Sequence, residues 1–250
     1  MIVDSFMFYN ELDVLELRLQ VLDQYVDKFI LVESELNHIG TRKPLYFKEN
    51  QERYSKWADK IIHVVVTEDE SPKDENPWSR EKHQRECILN GIHGIPEDAT
   101  VMVSDVDEIP NMDIIMKCKL HPVTSIHMWM FEYSFKYVFT GEPWFGTVIT
   151  DAKTLKEKGP NYLRDNRWRF PFIQYAGWHL SSFGDGKHVC NKMHTYAHAK
   201  DGHHESQTQE LFDEFIQSGL HTDGKTKLVP RDENIPLPLP IEELIKLNIT

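Results

Sequence analysis

Hydrophobic and polar positions follow a regular order over the first 110 residues. Short, nearly continuous apolar runs predict strands that are buried on both faces, and helices are predicted between them. The strands lie at residues 2–9, 28–33, 61–66 and 101–103, and the helices at residues 11–22, 51–57 and 77–92. Strands that alternate with helices imply crossovers between parallel strands. The pattern therefore predicts an α/β fold, Rossmann-like, with a mixed, mainly parallel sheet and helices on both faces.

The second half of the chain has a different texture. Strands rich in aromatic side chains are predicted at residues 125–135 and 144–150, and helices at residues 187–199 and 207–217. The aromatic density indicates either the wall of a site for a sugar or another flat ligand, or a strand face that packs on the core. The proline-rich residues 235–240 cannot form a central strand or a helix, so we expect an extended segment before a last short helix.

Composition narrows the class of protein. The 250 residues are 40% hydrophobic, which is enough for one large domain, and the formal net charge is -12. That charge argues against a nucleic-acid binder and against adhesion to anionic lipid. Cys87, Cys118 and Cys190 show no CxxC spacing and indicate reduced thiols. Because the first residues form no basic leader segment and no apolar stretch is long enough to cross a bilayer, we expect a soluble, cytoplasmic protein. We also expect a monomer or a weak dimer.

Two aspartates stand where the fourth apolar run ends. Asp105 and Asp107 follow Val103 and precede the breaker Pro110, so they fall at the carboxyl edge of the predicted strand. Open α/β sheets bind their ligands at this edge. A hard cation such as Mg²⁺ or Mn²⁺ is often held by one or two carboxylates together with the phosphates of a substrate. The segment therefore predicts half of a metal–diphosphate site, and the alternative is an ordinary acidic turn.

Several stretches share their order and spacing with a known family. They are residues 8–13 with 16–18, residues 26–34, Gly40 with residues 43–47, and residues 104–110, 127–128 and 176–179. Together they resemble glycosyltransferase family 17, the β-1,4-mannosyl-glycoprotein β-1,4-N-acetylglucosaminyltransferases. The resemblance implies a GT-A type nucleotide-sugar-binding fold and an inverting transfer from UDP-GlcNAc to a glycan acceptor. Leu180 and Glu35 depart from the residues that are common at these positions in the family.

The resemblance also implies how the chain is divided and where the metal binds. Residues 1–110 would form the nucleotide-binding half, residues 111–225 the acceptor-side half, and residues 226–250 an extended tail with a short helix. Asp107 would bind Mn²⁺ or Mg²⁺ directly, and Asp105 would bridge to the metal or to the ribose.

Further ligands of the donor are expected at other strand ends and on the third helix. His179 is the candidate for a third metal ligand, since imidazole suits Mn²⁺, although a lone histidine is more often structural. Glu33 and Asn10 could accept hydrogen bonds from uracil or ribose, but Asn10 could equally cap the first helix. Arg80 and Arg85 could reach the diphosphate. Their alternative is pairing with Glu81 and Glu86 on a solvated helix face.

An inverting transfer needs a general base for the acceptor hydroxyl. Asp151, after the strand at residues 144–150, is the first candidate and Glu132 the second. Each could also be an ordinary carboxylate without a catalytic role. Glu108 points to the opposite face from Asp107 if the extended geometry continues, so it could orient the loop rather than take part in the chemistry.

Other chemistry remains open at this stage. His194, His198, His203 and His204 are close enough in sequence to suggest a metal cluster, but they lack the glutamate of a zincin arrangement and indicate an exposed helix end.

Two other function classes compete with glycosyl transfer. They are a metal-dependent phosphohydrolase, whose paired aspartates normally lie on the opening strand, and a non-catalytic sugar-nucleotide or glycan-binding protein of the same fold.

Overall fold

The computed structural model describes residues 1–200 and 206–249, except for the side chains of residues 198 and 200. Its strands are β1 (Ile2–Phe8), β2 (Lys28–Ser34), β3 (Ile61–Val66), β4 (Thr100–Asp105), β5 (Glu108–Pro110), β6 (Val123–Glu132), β7 (Tyr137–Val138), β8 (Trp144–Asp151), β9 (Phe172–Ile173), β10 (Gly177–Ser181) and β11 (Val229–Pro230). Its α-helices are α1 (Leu12–Leu22), α2 (Tyr46–Glu49), α3 (Pro77–Glu86), α4 (Ile88–Gly91), α5 (Met112–Ile115), α6 (Ala152–Lys158), α7 (Pro160–Asp165), α8 (Gly186–Thr195), α9 (Gln209–Ser218) and α10 (Ile241–Lys246). Three segments are 3₁₀ helices: Gln51–Trp57, Arg167–Arg169 and Ala197–Lys200.

The strands form a sheet in the order β11-β7-β6-β8-β4-β1-β2-β3. Strands β10 and β9 also pair with β6, and β5 pairs with β10. Strands β4, β1, β2 and β3 are parallel neighbours, with Met7 opposite Asp105 and Phe8 opposite Glu33. Strand β8 then runs antiparallel to β4, and β6 antiparallel to β8. The amino-terminal half is thus a parallel sheet, and the rest is mixed. The predicted α/β class is confirmed.

Helices cover both faces of the sheet because successive side chains of a strand point to opposite faces. On one face, Phe6 of β1 packs in a core with Leu15 and Leu19 of α1. On the other, Val3 packs in a second core with Ile88 and the neighbouring Ile92. The carboxyl ends of the parallel strands lie between these two layers, which leaves that edge open for a site.

Several element boundaries differ from those that the sequence predicts. The expected helix at residues 77–92 is split into α3 and α4, and Asn76 caps α3 by accepting a hydrogen bond from Trp78 N. Pro77 fixes this start, because proline suits the first helical position. Asn10 does not cap α1 through its side chain: the capping residue is Glu11, without a side-chain bond, and the carbonyl of Asn10 accepts a hydrogen bond from Leu12 N.

The proline-rich residues 235–240 contain no regular element and lead into α10, as expected. They pack against the sheet, because Trp178 Nε1 donates a hydrogen bond to the carbonyl of Pro236 at 2.7 Å. Ile235 and Leu237 contribute to the core beneath them. Within residues 1–200 and 206–249, none of the helices combines the length and the apolar character that a bilayer crossing requires.

A buried arginine joins the first helix to the sheet. Arg18 of α1 is 0% exposed and donates hydrogen bonds to both carboxylate oxygens of Asp4 at 2.8 and 2.6 Å, and to Ser104 Oγ at 2.6 Å. It also donates to three carbonyl oxygens at the end of β4 and directly after it. They belong to Asp105 (3.0 Å), Val106 (3.1 Å) and Glu108 (2.8 Å). The turn of residues 105–108, called the acidic turn below, is therefore held from beneath by one guanidinium.

We expect Arg18→Met to lower the free energy of unfolding by about 3–5 kcal/mol, because it leaves the buried carboxylate of Asp4 without a counter-charge. Arg53→Met is the control, since Arg53 pairs at the surface with Asp13 and Glu16, which lie on α1 as Arg18 does. That exposed arrangement contributes about 1 kcal/mol or less. Urea denaturation measures both variants, and equal losses for the two would contradict the role given to Arg18.

Candidate active site

The open edge of the parallel sheet forms a cavity of about 530 Å³, called the cleft below. Its wall includes side chains that follow β1 and β2, side chains of α3, the acidic turn and side chains of the carboxyl-terminal half. Among them are Tyr9, Asn37, His38, Trp78, Arg85, Asp105, Asp107, Trp144, Arg164, His179, Lys192 and His221. The cleft therefore lies where open α/β sheets place their ligands.

Glu108 holds the acidic turn in shape. Its carboxylate is 0% exposed and accepts hydrogen bonds from Asp105 N at 2.8 Å and from Trp144 Nε1 at 2.9 Å. Arg164 pairs with the same carboxylate at 2.8 Å. The side chain does not line the cleft, so it orients the turn, which is the second of the two roles that the sequence left open.

Asp105 is bound to arginines. Its Oδ2 lies 2.9 Å from Arg164 Nη2, and its Oδ1 lies 3.7 Å from Arg85 Nη2. Burial alone would raise the pKa of Asp105, but the charges of Arg164 and Arg85 outweigh it and lower that pKa. The carboxylate is therefore ionised at neutral pH, and Oδ1 makes no hydrogen bond within the described residues.

Asp107 meets His179 and a lysine. Its Oδ2 lies 3.7 Å from His179 Nε2 and 3.0 Å from Lys192 Nζ. Although burial opposes ionisation, the charge of Lys192 and the contact with His179 hold the pKa of Asp107 far below its ordinary value. The antiparallel pairing of β10 with β5 puts His179 opposite Glu108, and the ring of Trp144 stacks on the imidazole at 4.5 Å. Two of the three predicted metal ligands are thus neighbours.

The donor set suits a cation that takes few ligands from the protein. Within the described part of the chain, no three His, Cys, Asp or Glu side chains converge on one position. Asp107 and His179 nevertheless offer one oxygen and one nitrogen donor, and Asp105 Oδ1 is a buried oxygen without a hydrogen bond. Mg²⁺ and Mn²⁺ commonly complete such a minimal set with phosphate and water oxygens. The residues therefore fit a divalent cation that binds together with a phosphorylated ligand.

Asp151 is not at the cleft. It caps α6, where its Oδ1 accepts a hydrogen bond from Thr154 N at 2.6 Å, and it pairs with Thr100 at the start of β4. Asp105 lies at the other end of β4, about 17 Å away at about 3.3 Å per residue. Because β8 runs antiparallel to β4, its last residue is carried to the opposite edge of the sheet. Asp151 therefore cannot exchange a proton with a ligand in the cleft.

The side chain of Glu33 is also turned away from the cleft. It is 0% exposed, accepts a hydrogen bond from Phe47 N at 2.9 Å, and lies 3.1 Å from His63 Nε2. Glu33 therefore holds the start of α2 rather than facing a nucleoside. Asn10 lines a separate groove beside α1.

The two arginines of α3 have different environments. Arg80 donates to the carbonyl of His38 at 2.9 Å and also to that of Asp74, so it joins two loops and does not line the cleft. Arg85 does line the cleft, and it pairs with Glu81 at 2.5 Å as well as approaching Asp105. Arg85 therefore pairs with Glu81 as the sequence suggests, but in a buried position rather than on a solvated face, and its contact with a diphosphate stays a prediction.

Glu132 is a buried carboxylate beside the cleft. It is 0% exposed, and the hydroxyl groups of Ser181 and Ser182 lie beside its carboxyl group. Burial, only partly offset by Ser181 and Lys192, raises the pKa of Glu132 to about 8. His221 Nε2, at the wall of the cleft, lies 3.9 Å from Glu132 Oε2. Because its carboxyl group has no exposed surface, Glu132 does not touch a ligand directly.

Two cleft residues have no signal in the sequence. Arg164 and Lys192 lie on α7 and α8, and they reach the acidic turn across 59 and 85 residues of chain. Of the histidines near residue 200, His194 lies on α8, where Cys190 Sγ is 3.8 Å from its Nδ1. His203 and His204, together with the side chain of His198, lie outside the described residues.

We expect Glu132→Gln to remove a pH dependence from folding stability. The folded state raises the pKa of Glu132 from 4.5 to about 8, so this group's contribution is present below pH 4.5 and is lost as the pH rises to about 8. Between pH 5 and pH 8.5, the free energy of unfolding of the variant should therefore rise relative to that of wild type by on the order of 3 kcal/mol. Urea denaturation at several pH values measures this. Glu157→Gln, at an exposed position, is the control, and its stability should vary with pH as that of wild type does. If the stability of Glu132→Gln varies with pH in the same way, the raised pKa of Glu132 is refuted.

The family model of glycosyltransferase family 17 matches residues 1–221. The beta-1,4-mannosyl-glycoprotein 4-beta-N-acetylglucosaminyltransferase of Rattus norvegicus is 23% identical over 213 residues, which are 72% of this chain and 40% of the relative. The Homo sapiens protein of the same name is 22% identical over 126 residues, which are 48% of this chain and 24% of the relative. This chain spans less than half the length of these relatives.

Two solved structures show a distant likeness. The glycosyltransferase GlyE of Streptococcus pneumoniae TIGR4 has a TM-score of 0.35 and 15% identity, and the match covers 66% of this chain and 37% of GlyE. The galactosyltransferase LgtC, solved with donor and acceptor sugar analogs, has a TM-score of 0.36 and 9% identity, and the match covers 79% of each chain. Likeness at this level does not assign a function.

Proposed function

Because the chain belongs to glycosyltransferase family 17, we propose that it transfers N-acetylglucosamine from UDP-GlcNAc to a glycan acceptor, with inversion at the anomeric carbon and with the help of Mn²⁺ or Mg²⁺. The observation that carries the proposal is the acidic turn, which presents Asp105 and Asp107 at the carboxyl edge of β4 inside the cleft. The names of the relatives support an N-acetylglucosaminyl group as the sugar and a glycoprotein glycan as the acceptor, and the paired Asp107 and His179 support the use of a metal.

The metal would be held by Asp107 and His179, beside Asp105. When bound, it would act as a Lewis acid that stabilises the negative charge left on the departing nucleoside diphosphate. Glu108 and Arg18 keep the acidic turn in one conformation, so the carboxylates are oriented before a ligand arrives. Orientation in advance lowers the cost of binding and reaction.

The charges of the cleft suit an anionic donor. The chain as a whole carries a net charge of -12. The cleft is balanced, because the cations Lys43, Arg85, Arg164, Arg167 and Lys192 face the carboxylates Glu11, Glu81, Asp105, Asp107 and Asp165. A diphosphate that enters the cleft therefore meets five cations, although the chain as a whole is acidic, and a bound divalent metal would make the cleft positive.

The two halves of the chain would divide the substrates. In this proposal residues 1–110 bind the nucleotide, because Tyr9, Asn37 and Trp78 line the cleft at the ends of β1 and β2 and on α3. Residues 111–225 bind the sugar and the acceptor, because Trp144 lines the other side. Aromatic rings are suitable walls for both a nucleobase and a sugar face.

A thermal-shift panel of UDP-, GDP-, CMP- and dTDP-sugars tests the donor, with Mn²⁺ and with EDTA. We expect UDP-GlcNAc with Mn²⁺ to raise the melting temperature most, since a ligand of the native state stabilises it by mass action. Release of UDP in the presence of a glycan acceptor then measures turnover. A shift with another nucleotide and none with UDP-GlcNAc would refute the donor, and absence of any sugar-nucleotide shift would refute the function.

Asp107→Asn should abolish the Mn²⁺-dependent part of the shift and lower turnover by about 10²–10³-fold, because an amide does not replace the carboxylate charge at the metal. Asp98→Asn is the matched control, since Asp98 is exposed and lies just before β4 at the opposite edge of the sheet. It should behave as wild type in both assays. Full turnover by Asp107→Asn would contradict the metal site.

A further inference from the structure

Lys192 is the lysine that contacts Asp107, the second aspartate of the acidic turn. It lies on α8, its side chain is 22% exposed, and its Nζ is 3.0 Å from Asp107 Oδ2. Lys192 and Asp107 both line the cleft, so the ammonium group borders the same cavity as the carboxylate that it contacts. The helix comes from the carboxyl-terminal half of the chain, and this ion pair joins that half to the end of β4.

The neighbouring guanidinium groups of Arg164 and Arg85 already make several contacts with the protein, although the Nε atom of each makes no hydrogen bond within the described residues. Arg164 donates to the carbonyl of Gly146 and pairs with Asp105 and Glu108. Arg85 is bonded to Glu81 and donates to Asn161. An ammonium group differs, because it carries three N–H donors that turn about one bond, on a flexible four-carbon stem. The bond to Asp107 uses one of these donors.

Resting on the function proposed above, we propose that Lys192 binds the diphosphate of the donor and that Asp107 holds the ammonium in place for it. A diphosphate that lies against the acidic turn is within reach of Nζ, since the ammonium already touches that turn. Lysine binds phosphate oxygens as a point charge and does not require the planar geometry of arginine. Lys192 is therefore a ligand-binding residue, and Asp107 is its positioning residue as well as a metal candidate.

Isothermal titration with three probes tests the assignment: UDP, uridine and inorganic pyrophosphate, each with Mn²⁺ and with EDTA. The variants are Lys192→Gln, which keeps length and a hydrogen-bond donor, and Lys192→Arg, which keeps the charge. Lys187→Gln, at an exposed position of the same helix, is the matched control. Thermal melts of all variants confirm that they are folded.

We expect Lys192→Gln to weaken the binding of UDP and of pyrophosphate by about 10–100-fold, with and without Mn²⁺. This is the range expected for the loss of one charged hydrogen bond. Uridine should bind as to wild type, because it lacks the phosphates, and a merely structural role would not separate uridine from UDP. Lys192→Arg should recover a large part of the affinity, and Lys187→Gln should be unchanged.

The outcomes distinguish this inference from the proposed function. If UDP binds wild type and Lys192→Gln equally well, Lys192 is not a phosphate ligand, although the donor assignment stands. If pyrophosphate binding depends on Lys192 but UDP does not bind wild type, the role of Lys192 as a phosphate ligand is supported. The assignment of a UDP-linked donor is then refuted. If neither UDP nor pyrophosphate binds wild type, both proposals fail. An equal loss for uridine and UDP would show that the substitution damages the cleft as a whole and would overturn the inference.

Discussion

The buried ion pair between Arg18 and Asp4 is the constraint on which the site depends. Both side chains are 0% exposed, and the guanidinium also binds Ser104 and the carbonyls of the acidic turn. A buried charge of this kind is tolerated only when its donors are satisfied. The same bonds that satisfy Arg18 fix the path of the chain directly after β4. A helix packed on one face of the sheet thereby determines how Asp105 and Asp107 enter the cleft.

Each acidic side chain of the acidic turn is paired with a cation, and one of these cations serves two carboxylates. Arg164 neutralises Asp105 and Glu108, and Lys192 neutralises Asp107. These cations come from α7 and α8, so folding of the carboxyl-terminal half completes a site that begins in the amino-terminal half. The arrangement lowers the cost of burying carboxylates, and it leaves a locally balanced cleft in an acidic chain.

The sequence was sufficient for the parallel half of the fold and for the position of the acidic turn. Continuous apolar runs mark β1, β2 and β4 because these strands are buried on both faces, and a similar run marks the half-buried edge strand β3. The carboxyl edge of these strands follows from the crossover rule. Residues whose place depends on later pairings could not be found this way. Asp151 was misplaced because only the antiparallel pairing of β8 with β4 sends it to the far edge. Lys192 carries no such signal, because nothing in the sequence of α8 indicates a partner 85 residues away.

A crystal structure of the protein with UDP and Mn²⁺ tests the role given to the acidic turn. We expect the diphosphate to lie in the cleft between Asp107 and Lys192, with the metal on Asp107 and His179 and with the acidic turn unmoved on Arg18. A nucleotide bound elsewhere, with Asp105 and Asp107 turned away from an empty cleft, would contradict it.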